Sequence, residues 1–361
     1  MLKQIRDFLE RNPSTKARTI ANRLGLDRAD VSRFLHDHPD KFEQDLEFQW
    51  SLTSDVCRIE FGGARWLTCR DFERALSTAS LSQSHKSVVL LLKNDGKPML
   101  EFLSRLLALC NQLVESGRTV TLDLEGSKTL LTYLDRVDFF GLLDASIVVL
   151  PKRPTGSLAK TYHGNNDGVI EFRSIDPNNP NQETPALLQK SFVACAGDSY
   201  SQTAFTILAE LFGNVLEHSG TSSPGFASLQ FYRKANKIQA VISDNGLGII
   251  GTLQPVIAAR YPETAKKIAA APHAGVALLK EVFSRGRLSQ VDEDGRGLGL
   301  KVSAEAAGKF SAKISVRQSD LEFRIHHRPD GVVFTHRLGL ARLGGTHICF
   351  EFKLDARRAS P

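Results

Sequence analysis

Hydrophobic positions in the first fifty-odd residues recur at helical spacing. Ile5, Phe8 and Leu9 fall at i, i+3 and i+4; Ile20 and Leu24 follow on a second amphipathic stretch closed by Gly25; Val31, Phe34 and Leu35 line a third, with Asp27 where an N-cap belongs. The period then changes, because Phe42, Leu46, Phe48, Trp50 and Leu52 all occupy even positions, the alternation of a two-stranded wing. From about residue 53 strand-like runs, SVVLLL (87–92), VTLDL (120–124) and SIVVL (146–150), alternate with helical patterns over Met99–Glu115 and Thr129–Leu143, which predicts a small α/β domain. Clustered Pro and Asn in PKRPTG (151–156) and DPNNPNQETP (176–185) break regular structure and place a domain boundary. Residues 187 to about 356 alternate again: a long helix around Thr203–His218, strands FASLQFYR and KIQAVIS, two helical stretches, a glycine cluster, another helix and several terminal strands. The chain thus reads as mixed α/β (α+β) in parts spanning 1–52, 53–165 (regulatory or sensing), a loop-rich linker at 166–186, and 187–361.

Three short helices and a wing, with TIANRLGLDRADVSRFLHDHP at their centre, resemble a winged helix-turn-helix. The resemblance implies Arg28, Ser32 and Arg33 as candidate DNA-binding residues. Charge leaves the partner open. Lys16–Arg33 carries five basic residues against two acids, yet residues 1–52 carry nine of each sign, so a local patch on DNA and a protein-docking module both fit. Net charge over the 361 residues is +6, but Lys and Arg are spread along the whole chain, so charge adds little for a polyanionic partner. No apolar run approaches the roughly 18–20 residues of a membrane-spanning helix, and MLKQIRDFLERNPSTKAR lacks the apolar centre of a secretory signal; a cytoplasmic protein with no membrane partner is expected. The five cysteines are scattered and match neither a zinc clamp nor a disulfide framework; Cys110 and Cys349, inside apolar runs, read as core fillers.

Candidate chemistry gathers in the last part. Glu210 and Asn214 in ILAELFGNVLEHSG are four apart and share one helix face, beside an apolar stripe of Ile207, Leu211 and Val215. A carboxylate and a carboxamide so placed suit a metal and a water. The alternating strand KIQAVIS runs into Asp244, Gly246 and Gly248; an acid at the end of a buried strand, followed by glycines, suits a purine whose exocyclic amino group the carboxylate accepts from. GRGLGL (295–300) opens a helix, and glycines at a helix N-terminus suit phosphate. LGGTHICFEF starts a terminal strand with Gly344, Gly345 and Thr346.

Glu-x-x-x-Asn on a helix, Asp-x-Gly-x-Gly after a strand, Gly-x-Gly-x-Gly, and a late Gly-Thr, in this order over residues 207–352, resemble the nucleotide-binding boxes of the GHKL (Bergerat-fold) ATPases. That family includes gyrase, mismatch-repair ATPases, chaperones, histidine kinases and anti-sigma serine kinases. The resemblance implies a C-terminal Bergerat-fold α/β sandwich that binds ATP and Mg²⁺. It makes Asn214 the magnesium ligand and sets Asp244 on the adenine amino group, with Thr346 assisting through a water. Gly246 and Gly248 would admit the base; Gly295, Gly297 and Gly299 would wrap the phosphates, with Arg296 as charge partner; Glu210 would be the general base for a water or a serine hydroxyl. An ATP-dependent homodimer is a further family expectation.

The chain departs from relatives in ways that bear on activity. Between Gly248 and Gly295 lie 46 residues, a longer lid region than compact anti-sigma kinases need. No lysine can be nominated for the γ-phosphate, and no helix-borne phosphoacceptor histidine followed by an acid is present. No Walker A motif occurs, and in GRGLGL position 300 is Leu300 where a dinucleotide fingerprint has glycine or alanine. Three activities fit the residues: slow ATP hydrolysis in which nucleotide controls engagement of DNA or a protein partner, a protein serine kinase, and a non-catalytic ATP-binding adaptor.

Overall fold

The computed structural model describes residues 1–354 except 40, 46, 53–55, 80, 83–84, 94–95, 167, 182, 219–222, 285–298, 309, 311 and 329. The N-terminal unit runs α1 (Leu2–Arg11), β1 (Thr15–Lys16), α2 (Ala17–Leu24), α3 (Arg28–Asp37), β2 (Phe42–Gln44) and β3 (Gln49–Leu52), with the strands in an antiparallel sheet of order β1-β3-β2. Ile5, Leu9, Ile20, Val31, Leu35, Phe42 and Trp50 form its own small core. One position of the expected alternation departs from it, since Phe48 turns at φ 60° and is 72% exposed; Leu46 lies outside the described residues.

The central unit holds β4 (Val56–Phe61), β5 (Trp66–Leu67), α4 (Cys69–Ala79), β6 (Ser87–Leu92), β7 (Lys97–Pro98), α5 (Leu100–Glu115), β8 (Thr119–Asp123), α6 (Lys128–Arg136), α7 (Phe139–Leu142), β9 (Val148–Leu150) and α8 (Leu158–Thr161). β4, β6, β8 and β9 pair in parallel in the order β4-β6-β8-β9, and β5 pairs with β7. The helical pattern at 129–143 is broken in two, because Asp138 takes the left-handed φ of 59° between α6 and α7.

The third unit is built on seven antiparallel strands. These are β10 (Val169–Ile175), β11 (Gly225–Tyr232), β12 (Lys237–Ser243), β13 (Lys313–Ser319), β14 (Leu321–Arg328), β15 (Gly331–Arg337) and β16 (Leu343–Lys353), in the order β10-β11-β12-β16-β13-β14-β15. Its helices are α9 (Glu183–Ala196), α10 (Ser201–His218), α11 (Gly248–Arg260), α12 (Pro262–Ala269), α13 (Ala274–Ser284) and α14 (Gly299–Gly308). The stretch expected as a linker thus contains the edge strand β10 and the start of α9. The Pro and Asn cluster marks only the turn between them.

Successive strand residues point to opposite faces of this sheet. Ile238, Ala240, Ile242, Ile314, Val316, Ile348 and Phe350 pack on one face with Leu188 and Phe192 of α9, Ile207, Leu211 and Val215 of α10, and Ala304 and Ala307 of α14. Phe226, Val241 and Cys349 point the other way, into the core around α5. That helix is apolar on nearly every side and is buried on nearly every side, between the parallel sheet and the antiparallel one. The central unit therefore acts as the second covering layer of the seven-stranded sheet.

A buried polar network joins the two units. Arg105 of α5, 1% exposed, donates to Glu73 of α4 (2.8 Å), Glu101 (2.8 Å), Glu322 of β14 (2.6 Å) and Ser315 of β13 (3.1 Å). Arg317, fully buried, donates from Nε to Glu73 (2.9 Å) and from its Nη atoms to the Ser319 and Ala341 carbonyls. Burial alone would raise the Glu322 carboxyl, but the Arg105 and Arg324 guanidiniums outweigh it and hold it at about 2.

Glu322→Gln should lower stability at neutral pH by about 3–5 kcal/mol, since it leaves Arg105 short of a buried partner; urea unfolding would read this. The Glu322 carboxylate contributes fully above its ordinary value of 4.5 and loses that contribution as pH falls toward 2. The variant's loss of stability over that acid range should accordingly be shallower than the parent's, and equal slopes would remove Glu322 from the account.

Candidate functional site

The site lies where β12 ends and β16 begins, beside α10. The stripe Ile207, Leu211 and Val215, each 2–4% exposed, fixes the roll of α10 on the sheet, which leaves Glu210 exposed and Asn214 half-buried on the flank. Asn214 Nδ2 is buried with no hydrogen-bond partner among the described residues. Gly225 shows how closely helix and strand approach: a Cβ there would stand 2.9 Å from Val215 Cγ1 and 3.4 Å from Asp244 Cα.

Asp244 follows the last residue of β12 and is 8% exposed. Its Oδ1 accepts from the Gly246 N–H (2.7 Å), and its own N–H donates to the Thr346 carbonyl (2.9 Å). Burial raises the Asp244 carboxyl, and hydrogen bonds from Gly246 and Thr346 partly offset the rise. Thr346, 5% exposed, accepts at Oγ1 from Gln318 Nε2 (3.3 Å), while Gln318 Oε1 accepts from the Ile250 N–H (3.1 Å). Two glycines make the close approaches possible. Gly248 (φ 75°) would place a Cβ 2.0 Å from Gln318 Nε2, and Gly345 (φ 76°) would place one 1.9 Å from the Asp244 carbonyl oxygen.

Two supporting residues escaped the sequence reading. Gln112, from α5, donates to Asn245 Oδ1 and to the Gly344 carbonyl (both 3.1 Å) and accepts from the Gly344 N–H (2.8 Å). Its signal was weak, since Gln112 is one of six polar residues (with Glu101, Ser104, Arg105, Asn111 and Glu115) on a largely apolar helix. Gln318 has no comparable signal, because only strand pairing brings it opposite Thr346. His347 is driven down to about 3 by burial and by Arg105 and Arg317, so it is neutral, and its Nε2–H donates to the Gly344 carbonyl (2.8 Å).

The structure therefore brings Asp244, Gly246, Gly248 and Thr346 together, with α10 packed against the same strand end. Gly295, Arg296 and Gly297 lie outside the described residues, and Gly299 opens α14. Arg28, Ser32 and Arg33 are on α3 of the N-terminal unit, where Asp27 Oδ1 caps the helix by accepting from the Ala29 and Asp30 N–H groups (2.7 and 3.1 Å). Arg28 and Arg33 are exposed and Ser32 is half-buried.

Residues 200–356 match a family described as histidine kinase-, DNA gyrase B- and HSP90-like ATPase. The C-terminal part of the chain is thus a GHKL-type ATPase domain, and the match spans α10 to β16. β10 and α9 precede it, although they complete the same sheet and core. No curated protein matches the chain.

Gly345→Ala should cost more than the strain of a left-handed residue, about 1–2 kcal/mol, because its Cβ also meets backbone. Gly339, at φ 67° with nothing near a Cβ, is the control for strain alone. Equal urea midpoints for the two alanine variants would show that the close approach to Asp244 adds nothing.

Proposed function

We propose that the chain is a Mg²⁺-dependent ATP-binding regulatory protein that hydrolyses ATP slowly, and that its nucleotide state controls engagement of DNA or a protein partner in the cytoplasm. The reading is carried by one convergence. Buried Asp244 and Thr346, packed by close approaches of Gly248 to Gln318 and of Gly345 to Asp244, lie beside a helix bearing exposed Glu210 and Asn214, whose Nδ2 has no partner among the described residues, all inside the segment that matches the ATPase family.

In this reading the Asp244 carboxylate accepts from the adenine amino group, Thr346 assists through a water, and Gly246 and Gly248 admit the base. Asn214 offers its carboxamide oxygen to Mg²⁺, since a half-turn about the side chain's last bond exchanges nitrogen and oxygen. Asn214 would hold Mg²⁺ together with the nucleotide phosphates. When bound, the ion offsets phosphate charge. The backbone of Gly295, Gly297 and Gly299, with Arg296, embraces the phosphates. Glu210 accepts the proton of the attacking water, and its exposure gives that water access. The N-terminal unit serves as a winged helix with Arg28, Ser32 and Arg33 toward DNA. Gln112 supports coupling, because it ties the central unit to Asn245, next to Asp244, and to Gly344 at the start of β16. ATP-dependent pairing of two copies is part of the same reading.

With γ-labelled ATP and Mg²⁺, free phosphate should appear slowly, and Glu210→Ala should lower its rate roughly 10²–10⁴-fold with ATP still bound. Asp244→Asn should weaken ATP binding about tenfold or more. Label retained on a protein from cell extract would instead mark a protein kinase, and ATP binding unchanged in Asp244→Asn would refute the site. Duplex DNA or partner affinity should differ between nucleotide-free and ATP-loaded protein, with DNA binding weakened by Arg28→Ala plus Arg33→Ala. Equal affinities in both nucleotide states would end the switch.

A further inference from the structure

On the face of the seven-stranded sheet turned away from α10, a cavity of about 880 Å³ opens between the central unit and the outward side chains of β11 to β14 and β16. Small-molecule sites span roughly 300–1,000 Å³, so it is large enough for an organic ligand. Three features of its lining specify one.

Gln239 of β12 is 3% exposed, and its Nε2 donates to Glu351 (3.0 Å). Its Oε1 is buried with no partner among the described residues. A buried acceptor left unpaired is costly, and a ligand N–H or O–H would satisfy it. Arg324 likewise holds Glu322 with Nη2 (2.8 Å) while its Nε lacks a partner among the described residues.

Charge in the cavity is one-sided. Six of the lining residues are Arg or Lys and two are acids; Glu101 is engaged by Arg105, and Glu351 by Gln239, Lys237 (3.0 Å) and, more loosely, Lys313 (3.7 Å), so positive charge remains in excess. Arg70 and Lys313 stand exposed at its edge. Trp66, 46% exposed, also lines the cavity, set edge-on to Tyr232 at 6.4 Å, and offers an aromatic surface.

We propose that this cavity binds an aromatic anion that carries a hydrogen-bond donor. The ring lies against Trp66, the anionic group sits among Arg70, Lys313 and Arg324, and the donor reaches Gln239 Oε1. The site is separate from the nucleotide site and does not depend on it: along β12, Gln239, Val241 and Ser243 face the central unit, whereas Ile238, Ala240 and Ile242 face α10.

The dye 8-anilinonaphthalene-1-sulfonate has the required chemistry, with aromatic rings, one sulfonate and one N–H. Titrated into the full chain, it should bind one-to-one and at least tenfold more tightly than N-phenyl-1-naphthylamine, which keeps rings and N–H but lacks the charge. Arg70→Glu alone, at an exposed position outside the buried network, should weaken the dye several-fold with Tm unchanged, and adding Lys313→Glu, which also removes a 3.7 Å pair with Glu351, should take the loss to at least tenfold. Gln239→Leu should weaken it several-fold while leaving the preference for the charged dye. Saturating Mg²⁺ and ATP should leave the dye in place. Equal affinity for the two dyes, no effect of the charge reversals, or displacement by ATP would each overturn the assignment.

Discussion

Two arginines without access to water constrain everything around them. Arg105 and Arg317 are 1% and 0% exposed, and a guanidinium so placed is tolerated only where carboxylates and carbonyls answer its charge and its N–H groups. The partners come from α4, α5, β13 and β14, so the requirement can be met only when the central unit is seated on the antiparallel sheet. The network also pins register. A slip of one residue in β13 or β14 would turn Arg317 or Glu322 to the opposite face, among the aliphatic side chains under α10 and α14. The register that satisfies Arg317 is the one that places its neighbour Gln318 on the other face, opposite Thr346.

The sheet thereby separates two kinds of surface. One face packs on helices and presents Asp244, Thr346 and Asn214 at its end. The other is apolar over α5 and polar elsewhere, and holds both the buried charges and the cationic cavity. Contacts cross between units at several depths, including the Ser104–Ser243 hydroxyl pair at 2.7 Å and the Gln112 bridge to Asn245 and Gly344. Central unit and ATPase-type domain consequently share one core.

The N-terminal unit differs, since its core of about eight side chains closes on itself.

What could be read from the chain alone was set by nearest neighbours. Helical period put Glu210 and Asn214 on one flank of a stripe that is indeed buried, and strand alternation followed by glycines marked Asp244 as the acid at a strand end. Both follow from backbone geometry over a few residues, which hydrophobic spacing reports directly. The remainder depended on pairing between distant segments. Pro and Asn around 176–181 concealed the edge strand β10, whose partner β11 lies some fifty residues on. Val137 and Asp138 broke a helix that periodicity alone would continue, and Phe48 left the alternation because a turn needed its φ. Gln112 joined the site from another unit, and Arg105 and Arg317 found Glu73 and Glu322, carboxylates that no spacing rule connects to them. Local periodicity carries no information about which buried charge meets which, because that choice is made only when two separately patterned surfaces close and exclude water.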